Sequence, residues 1–108
     1  MVNKEDRVYG LLGLTTKSGN IVFGTDACIE KIESNKVKLI IVASDASDKT
    51  KKNIKFICDK NNIKIEIFGT ISALSKAIGK NNKAVIGVKN ENLANEISNI
   101  INGGDIIG

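Results

Sequence analysis

Histidine, tryptophan and proline are all absent from this chain of 108 residues. The lack of histidine excludes a Ser–His–Asp triad, a Cys–His nucleophile and a two-histidine metal site. The lack of proline leaves helix and strand ends to glycine, asparagine and capping side chains. Cysteine is scarce: Cys28 and Cys58 stand far apart, with no CxxC spacing. Both read as reduced core residues rather than as a disulfide or a zinc site. No apolar run approaches the ~18–20 residues of a membrane span. The first residues, Met1 to Arg7, lack the apolar stretch of a signal peptide. A cytoplasmic protein with no metal and no cofactor is the expectation. Repeats, linkers and low-complexity segments are missing as well.

What is present is a mild excess of positive charge. Sixteen Lys and Arg face twelve Asp and Glu, a formal net charge of +4. Such a bias favours contact with polyanions without establishing it. The length fits one domain with a core that needs no disulfide or metal. We expect that domain over residues 1–102, with a loose tail over 103–108.

Hydrophobic spacing alternates between helix and strand. Val8, Leu11, Leu12 and Thr15 recur at i, i+3, i+4 and i+7, an amphipathic helix that Gly19-Asn20 ends. Ile21 to Phe23 is a short strand. A helix from about Asp26 to Ser34 turns Cys28, Ile29 and Ile32 inward. Val37 to Ala43 is almost wholly apolar, as a strand buried on both faces should be. Asp45 and Ser47 offer N-cap chemistry for a third helix. That helix carries Thr50, Ile54, Ile57 and Cys58 on one face. Ile63 to Phe68 and Ala84 to Val88 are further strands. Between them, Thr70 or Ser72 caps a short helix with Ile71, Leu74 and Ile78 inward. Asn90 caps a last helix with Leu93, Ile97, Ile100 and Ile101 on one face. The order αβαβαβαβα predicts an α/β fold, a three-layer α/β/α sandwich around a four-stranded mixed sheet.

Four places are chemically suggestive. Gly24-Thr25-Asp26-Ala27 joins a strand to a helix N-terminus, where free N–H groups and the helix dipole suit an anion. It has neither GxGxxG nor GxxxxGK[ST] spacing, and an ordinary joint capped by Thr25 or Asp26 needs no ligand. Asp45 follows the central strand, where α/β folds gather ligands. A receiver-type acceptor would also need two carboxylates after the first strand, and only Asp26 is there. Capping the next helix is the simpler role for Asp45. Lys49, Lys51, Lys52 and Lys55 form a lysine run, either a solvated face or a source of long-range attraction for RNA. The loop Gly79-Lys80-Asn81-Asn82-Lys83 carries two cations and two amides within reach of a phosphate or a base edge.

Several stretches, in order, carry a resemblance. They are Leu11 to Gly19, the Gly24-Thr25 joint, Lys36 to Ser47, and Leu74-Ser75-Lys76-Ala77-Ile78-Gly79-Lys80. Over about Val8 to Ile101 the chain resembles the L7Ae/L30e ribosomal protein superfamily, and within it the small stand-alone bacterial type. The resemblance implies an α/β/α sandwich that binds RNA, often at a kink-turn. By position it implies RNA contacts from Gly24, Thr25, Asp26 and Ala27, with Lys31 one turn on. A second surface is Ile78, Gly79, Lys80, Asn81, Asn82 and Lys83, and Ser44 and Asp45 form a third. An apolar side chain there would pack on an unstacked base. Strong kink-turn binders of the family carry Asn-Glu where this chain has Asp26-Ala27. Ala27 cannot accept hydrogen bonds from guanine, and Asp26 lacks an amide donor and repels phosphate. A lysine expected a few residues on is Glu30 here, with Lys31 displaced by one, and Ser44 replaces a usual acid.

The expected function is therefore a non-catalytic, monomeric, ribosomal-type protein that binds structured RNA, kink-turn-like or ribosomal, and no membrane. The alternative is a protein-interaction module on the same scaffold without kink-turn specificity. An enzyme would need a clustered carboxylate–lysine pocket, and nothing in the sequence groups such residues.

Overall fold

A computed structural model describes residues 3–103. Nine elements follow one another: α1 (Lys4–Lys17), β1 (Ile21–Phe23), α2 (Thr25–Glu33), β2 (Leu39–Val42), α3 (Asp48–Asn61), β3 (Lys64–Ile67), α4 (Ile71–Ala77), β4 (Val85–Val88) and α5 (Glu91–Ile101). The order and type of every element agree with the hydrophobic spacing. β1 has the expected bounds, whereas β2, β3 and β4 are shorter than their apolar runs. Val37 and Ala43 are fully buried, yet they flank β2. Of the expected tail, residues 104–108 lie outside the described residues. Gly103 still belongs to the turn after α5, its N–H donating to the Ile100 carbonyl at 3.0 Å.

The strands form one mixed sheet in the order β1-β4-β2-β3. β4 runs antiparallel to both β1 and β2, and β3 runs parallel to β2. A parallel pair needs a crossover, and α3 supplies it between β2 and β3. The two inner strands, β2 and β4, are buried at every position, as their unbroken Leu-Ile-Ile-Val and Val-Ile-Gly-Val runs require. Gly87 is the position there where a side chain would crowd its neighbours. A Cβ would stand 3.1 Å from Val37 Cγ1 and 3.2 Å from Ile40 Cδ1. Helix α1 packs against both α4 and α5, and α2 packs on α3. Their apolar stripes close the core around Leu12, Ile32, Leu39, Ile40, Ile41, Ile54, Leu74, Ile86 and Ile97.

Two local expectations need correcting, for Asp45 and for the start of α2, and the choice of cap for α4 is settled. Asp45 does not cap α3; Ser47 does, its hydroxyl accepting the Thr50 N–H at 3.1 Å. Asp45 instead reaches across the fold and accepts the Ile71 N–H at 2.8 Å, so it supports the start of α4. Thr70, not Ser72, is the N-cap of α4, accepting the Ala73 N–H at 3.1 Å. At α2 neither Thr25 nor Asp26 caps, because both already lie inside the helix and the N-cap residue is Gly24.

The register sets the architecture of one end of the sheet. Phe23 pairs with Ile86, and Val42 pairs with both Val85 and Ile67. The carboxyl ends of β1, β2 and β3 thus meet the amino end of β4. Everything that leaves those ends lies together: the start of α2, Ser44–Asp45, the start of α4, and the loop entering β4.

Candidate functional site

Gly24 has φ +92° and ψ 148°, a conformation open to glycine and strained for other residues. Its N–H donates to the Val85 carbonyl at 2.9 Å, which ties the joint to the amino end of β4. The Cys28 N–H is the first to turn back, donating to the Gly24 carbonyl at 3.0 Å. The N–H groups of Thr25, Asp26 and Ala27 therefore have no partner among the described residues. Asp26 and Ala27 are exposed. The result is an uncapped helix start with positive dipole character, tempered by the Asp26 carboxylate. Lys31 lies one turn further along α2, half-buried, with Nζ 4.0 Å from Glu30 Oε1.

Phe23, the last residue of β1, connects this helix start to the second predicted surface. Lys80 Nζ lies 4.9 Å from its ring centroid, and Lys83 Nζ lies 5.3 Å from it. Both cations are within cation–π range of one ring. The loop that carries them is built, not slack. At the end of α4 the Gly79 N–H donates to the Lys76 carbonyl at 3.1 Å, and the Lys80 N–H to the Ser75 carbonyl at 2.8 Å. This is a Schellman closure, with Gly79 at φ +72°. Asn82 then takes φ +55°, which asparagine tolerates better than most residues. The buried Ser75 hydroxyl accepts the Lys83 N–H at 2.7 Å and donates to the Lys83 carbonyl at 3.3 Å.

The third region folds onto the same end. The Ser44 N–H and hydroxyl both donate to the Gly69 carbonyl, at 2.8 and 2.6 Å. With Asp45 on the Ile71 N–H, these bonds fix the β3–α4 turn beside β2. Between this turn and the lysine loop is an open groove of about 710 Å³. Asp45, Gly79, Lys80, Asn81 and Asn82 line it, joined by Ile71, Ser72, Ser75 and Lys76.

The structure thus brings Asp45 and Gly79–Asn82 to one groove, which Ser44 and Lys83 adjoin without lining it, and Gly24–Ala27 follow Phe23, over which Lys80 and Lys83 lie. Lys31 stands apart on α2. Ile78 departs from its expected role. Only 3% of its surface is exposed, because its side chain closes the core under α4, so it offers no face to a base. The half-buried Ile71 is the apolar residue in the groove. Sequence reasoning missed Phe23, Ile71 as a groove residue, Ser72, Ser75 and Lys76. One signal was available: Ser72, Ser75, Lys76 and Gly79 recur at i, i+3, i+4 and i+7, a polar stripe on α4.

Burial pushes the Cys28 thiol up to about 12, helped by the nearby Cys58. Burial pushes Cys58 up to about 11, with Asp59 adding to the rise and Lys55 opposing it. Both thiols stay protonated at neutral pH. Cys28 Sγ lies 3.8 Å from the Val22 carbonyl and 3.7 Å from the Val85 carbonyl, as a weak donor under the joint. Among the described residues no group of three or more Cys, Asp or Glu is placed to hold a metal ion. No helix among them is long and apolar enough to cross a membrane.

A βαβ unit extended by an antiparallel β4, with helix starts and loops converging at one end, is the scaffold of a known family. Residues 6–98 match the Ribosomal protein L7Ae/L30e/S12e/Gadd45 family, and the chain belongs to that family. Among individual proteins, it is 27% identical over 93 residues to RNA-binding protein YlxQ of Bacillus subtilis (strain 168), covering 86% of this chain and 93% of that one. It is 31% identical over 100 residues to RNA-binding protein YlxQ of Enterococcus faecium, covering 90% and 93%. A solved structure of a Bacillus halodurans protein of unknown function superposes with a TM-score of 0.85 at 29% identity, over 88% of this chain and 96% of that one. The Giardia lamblia 15.5kD RNA binding protein superposes with a TM-score of 0.76, over 100% and 93% of the two chains. Its identity is 18%, so this likeness concerns the fold alone.

Proposed function

We propose that this protein is a non-catalytic, monomeric RNA-binding protein. Structured RNA, kink-turn-like or ribosomal, is its partner, and the joined end of the sheet is its contact surface. The observation that carries the reading is the pairing of two anion-seeking features through Phe23. The uncapped start of α2 follows Phe23 directly in the chain, and Lys80 and Lys83 lie over its ring. Free N–H groups and two held ammonium groups suit a phosphate backbone. The groove beside them, with Ile71 and the amides of Asn81 and Asn82, suits an unstacked base. The family membership and the RNA-binding relatives support the same class.

Kink-turn preference is the finer part of the proposal. Asp26 and Ala27 supply no side-chain match to a sheared G·A pair, and each lost base contact costs ~1–3 kcal/mol of discrimination. Recognition then rests on backbone N–H groups and the lysine loop. The test is a fluorescence-anisotropy titration at several salt concentrations with three RNAs: a kink-turn, the same RNA with Watson–Crick pairs replacing G·A, and a plain duplex. Preferential, salt-weakened binding to the kink-turn supports the whole proposal. Equal, salt-weakened binding to all three keeps the RNA-binding reading and removes the kink-turn. No binding at low salt overturns both and leaves a protein-interaction module. Lys80→Glu with Lys83→Glu checks the surface: unchanged affinity would remove that loop from the contact.

A further inference from the structure

The opposite edge of the sheet presents a second surface, separate from the groove. β3 pairs with β2 on one side, and no strand lies beyond it among the described residues. At ~4.8 Å per strand, three steps put it about 14 Å from β1. Edge strands are commonly blunted by charges placed along them. Here Lys64 is exposed at the start of the strand, while the Glu66 carboxylate is engaged, accepting the Ser98 hydroxyl of α5 and the amide of Asn102 just after it, both at 2.8 Å. The alternate face belongs to Ile65 and Ile67. Ile67 is 48% exposed. A cleft of about 430 Å³ runs between this face and α3, lined by Lys51, Lys52, Lys55, Ile65, Glu66 and Ile67, three cations against one carboxylate. Phe56, 67% exposed, follows Lys52 by one helical turn.

Lys51 and Lys52 have no carboxylate within ion-pair distance among the described residues. Lys55 shares Asp59 at 3.4 Å, an exposed pair that a competing carboxylate can replace. Unpaired backbone groups, apolar side chains at every second position and a row of ammonium groups are three features of one ligand. We infer that the β3 edge, flanked by Lys51, Lys52 and Lys55, takes up an extended acidic segment of a partner protein as an added strand. Main-chain bonds to β3 would supply affinity, and carboxylates at every second position of the added strand, on the side where Ile65 and Ile67 face α3, would meet the lysines. A second copy of this chain fits less well, because pairing β3 with its own copy brings two lysine rows together. RNA would satisfy the lysines but lacks the regular alternation of N–H and C=O groups that a strand edge pairs with.

The test uses the full chain and a labelled synthetic peptide of about eight residues, alternating Glu and Val, long enough to cover a strand. Binding is read by anisotropy and by amide NMR shifts. Three comparisons accompany it: a Lys/Val peptide, the Glu/Val peptide N-methylated at alternate amides, and the variant K51E/K52E/K55E. The expected result is saturable binding of the Glu/Val peptide with shifts concentrated on Lys64–Ile67. The charge-reversed variant should lose about tenfold or more. The N-methylated peptide should fail to bind, and the Lys/Val peptide should bind no better than background. Equal binding of the acidic and basic peptides, or shifts away from β3, would overturn the inference. So would no binding at millimolar peptide. Duplex RNA that shifts Lys51, Lys52 and Lys55 and displaces no peptide would reassign the lysines to RNA. Self-association that tracks shifts on β3 would reassign the edge to a second copy.

Discussion

Phe23 is the residue on which the proposed RNA surface turns. It ends β1, touches the joint to α2, and holds two ammonium groups from a loop remote in sequence. A cation–π pair at an exposed site is worth ~0.5–1 kcal/mol. Replacing Phe23 with Leu keeps an apolar residue at the end of β1 and removes the ring. We expect F23L to weaken RNA binding about three- to tenfold, while the urea midpoint shifts little. Native affinity in that variant would mean that the lysines find phosphate without the ring. Asp45 carries a second lesson at this scale. A carboxylate placed just before a helix reads as its cap, yet Ser47 already fills that role, and Asp45 is free to serve α4 instead. The two roles differ only in what the tertiary fold brings near.

Among the elements, α4 and its following loop are the most informative. The helix is short, and its hydrophobic side faces the core through Leu74 and Ile78. Its other side carries Ser72, Ser75 and Lys76 into the groove. Ser75 looks like an unremarkable helix residue, but its hydroxyl holds both backbone groups of Lys83. Ser75→Ala leaves the Lys83 N–H without its 2.7 Å acceptor. Stranding a donor of this kind costs about 1–2 kcal/mol where water reaches it in part. Urea unfolding should register that loss, and hydrogen exchange at the Lys83 amide should speed up. An unchanged exchange rate would show that the Schellman closure alone holds the loop. The helices and strands themselves were legible in the chain, since 3.6-residue stripes and unbroken β-branched runs mark them. Their exact ends were less so, because strand length depends on which partner continues the ladder.

For the whole molecule, the buried thiols make a prediction about alkali. An unfolded cysteine ionises near its ordinary value of about 9, whereas Cys28 and Cys58 in the fold hold their protons up to about 12 and about 11. Tyr9 moves in the same direction, chiefly through burial and then through Glu5 and Asp6. The unfolded chain therefore releases protons first, so stability is fully present below about pH 9 and falls as pH rises above it. Each thiol ionised only in the unfolded state costs about 1.4 kcal/mol per pH unit. Urea midpoints under reducing conditions should fall steeply between about pH 9 and 10.5. They should fall less in C28A/C58A. Parallel slopes in the two proteins would rule the thiols out as the cause.

Taken alone, the sequence determined the nature of each element, the αβαβαβαβα order and the sandwich class. These follow from local periodicity and from the burial that apolar stripes demand. It also marked most of the candidate site, because Gly24, Ser44–Asp45 and Gly79–Lys83 occupy strand ends and turns. The tertiary structure alone decided the strand order β1-β4-β2-β3, which no local pattern encodes. With that order came the meeting of those segments at one end, the seat of Lys80 and Lys83 on Phe23, and the exposure of β3 at the far edge. Ile78 went to the core and Ile71 to the groove for the same reason. Pairing between strands distant in sequence sets which side of each element faces its neighbours, and periodicity can say only that such a side exists.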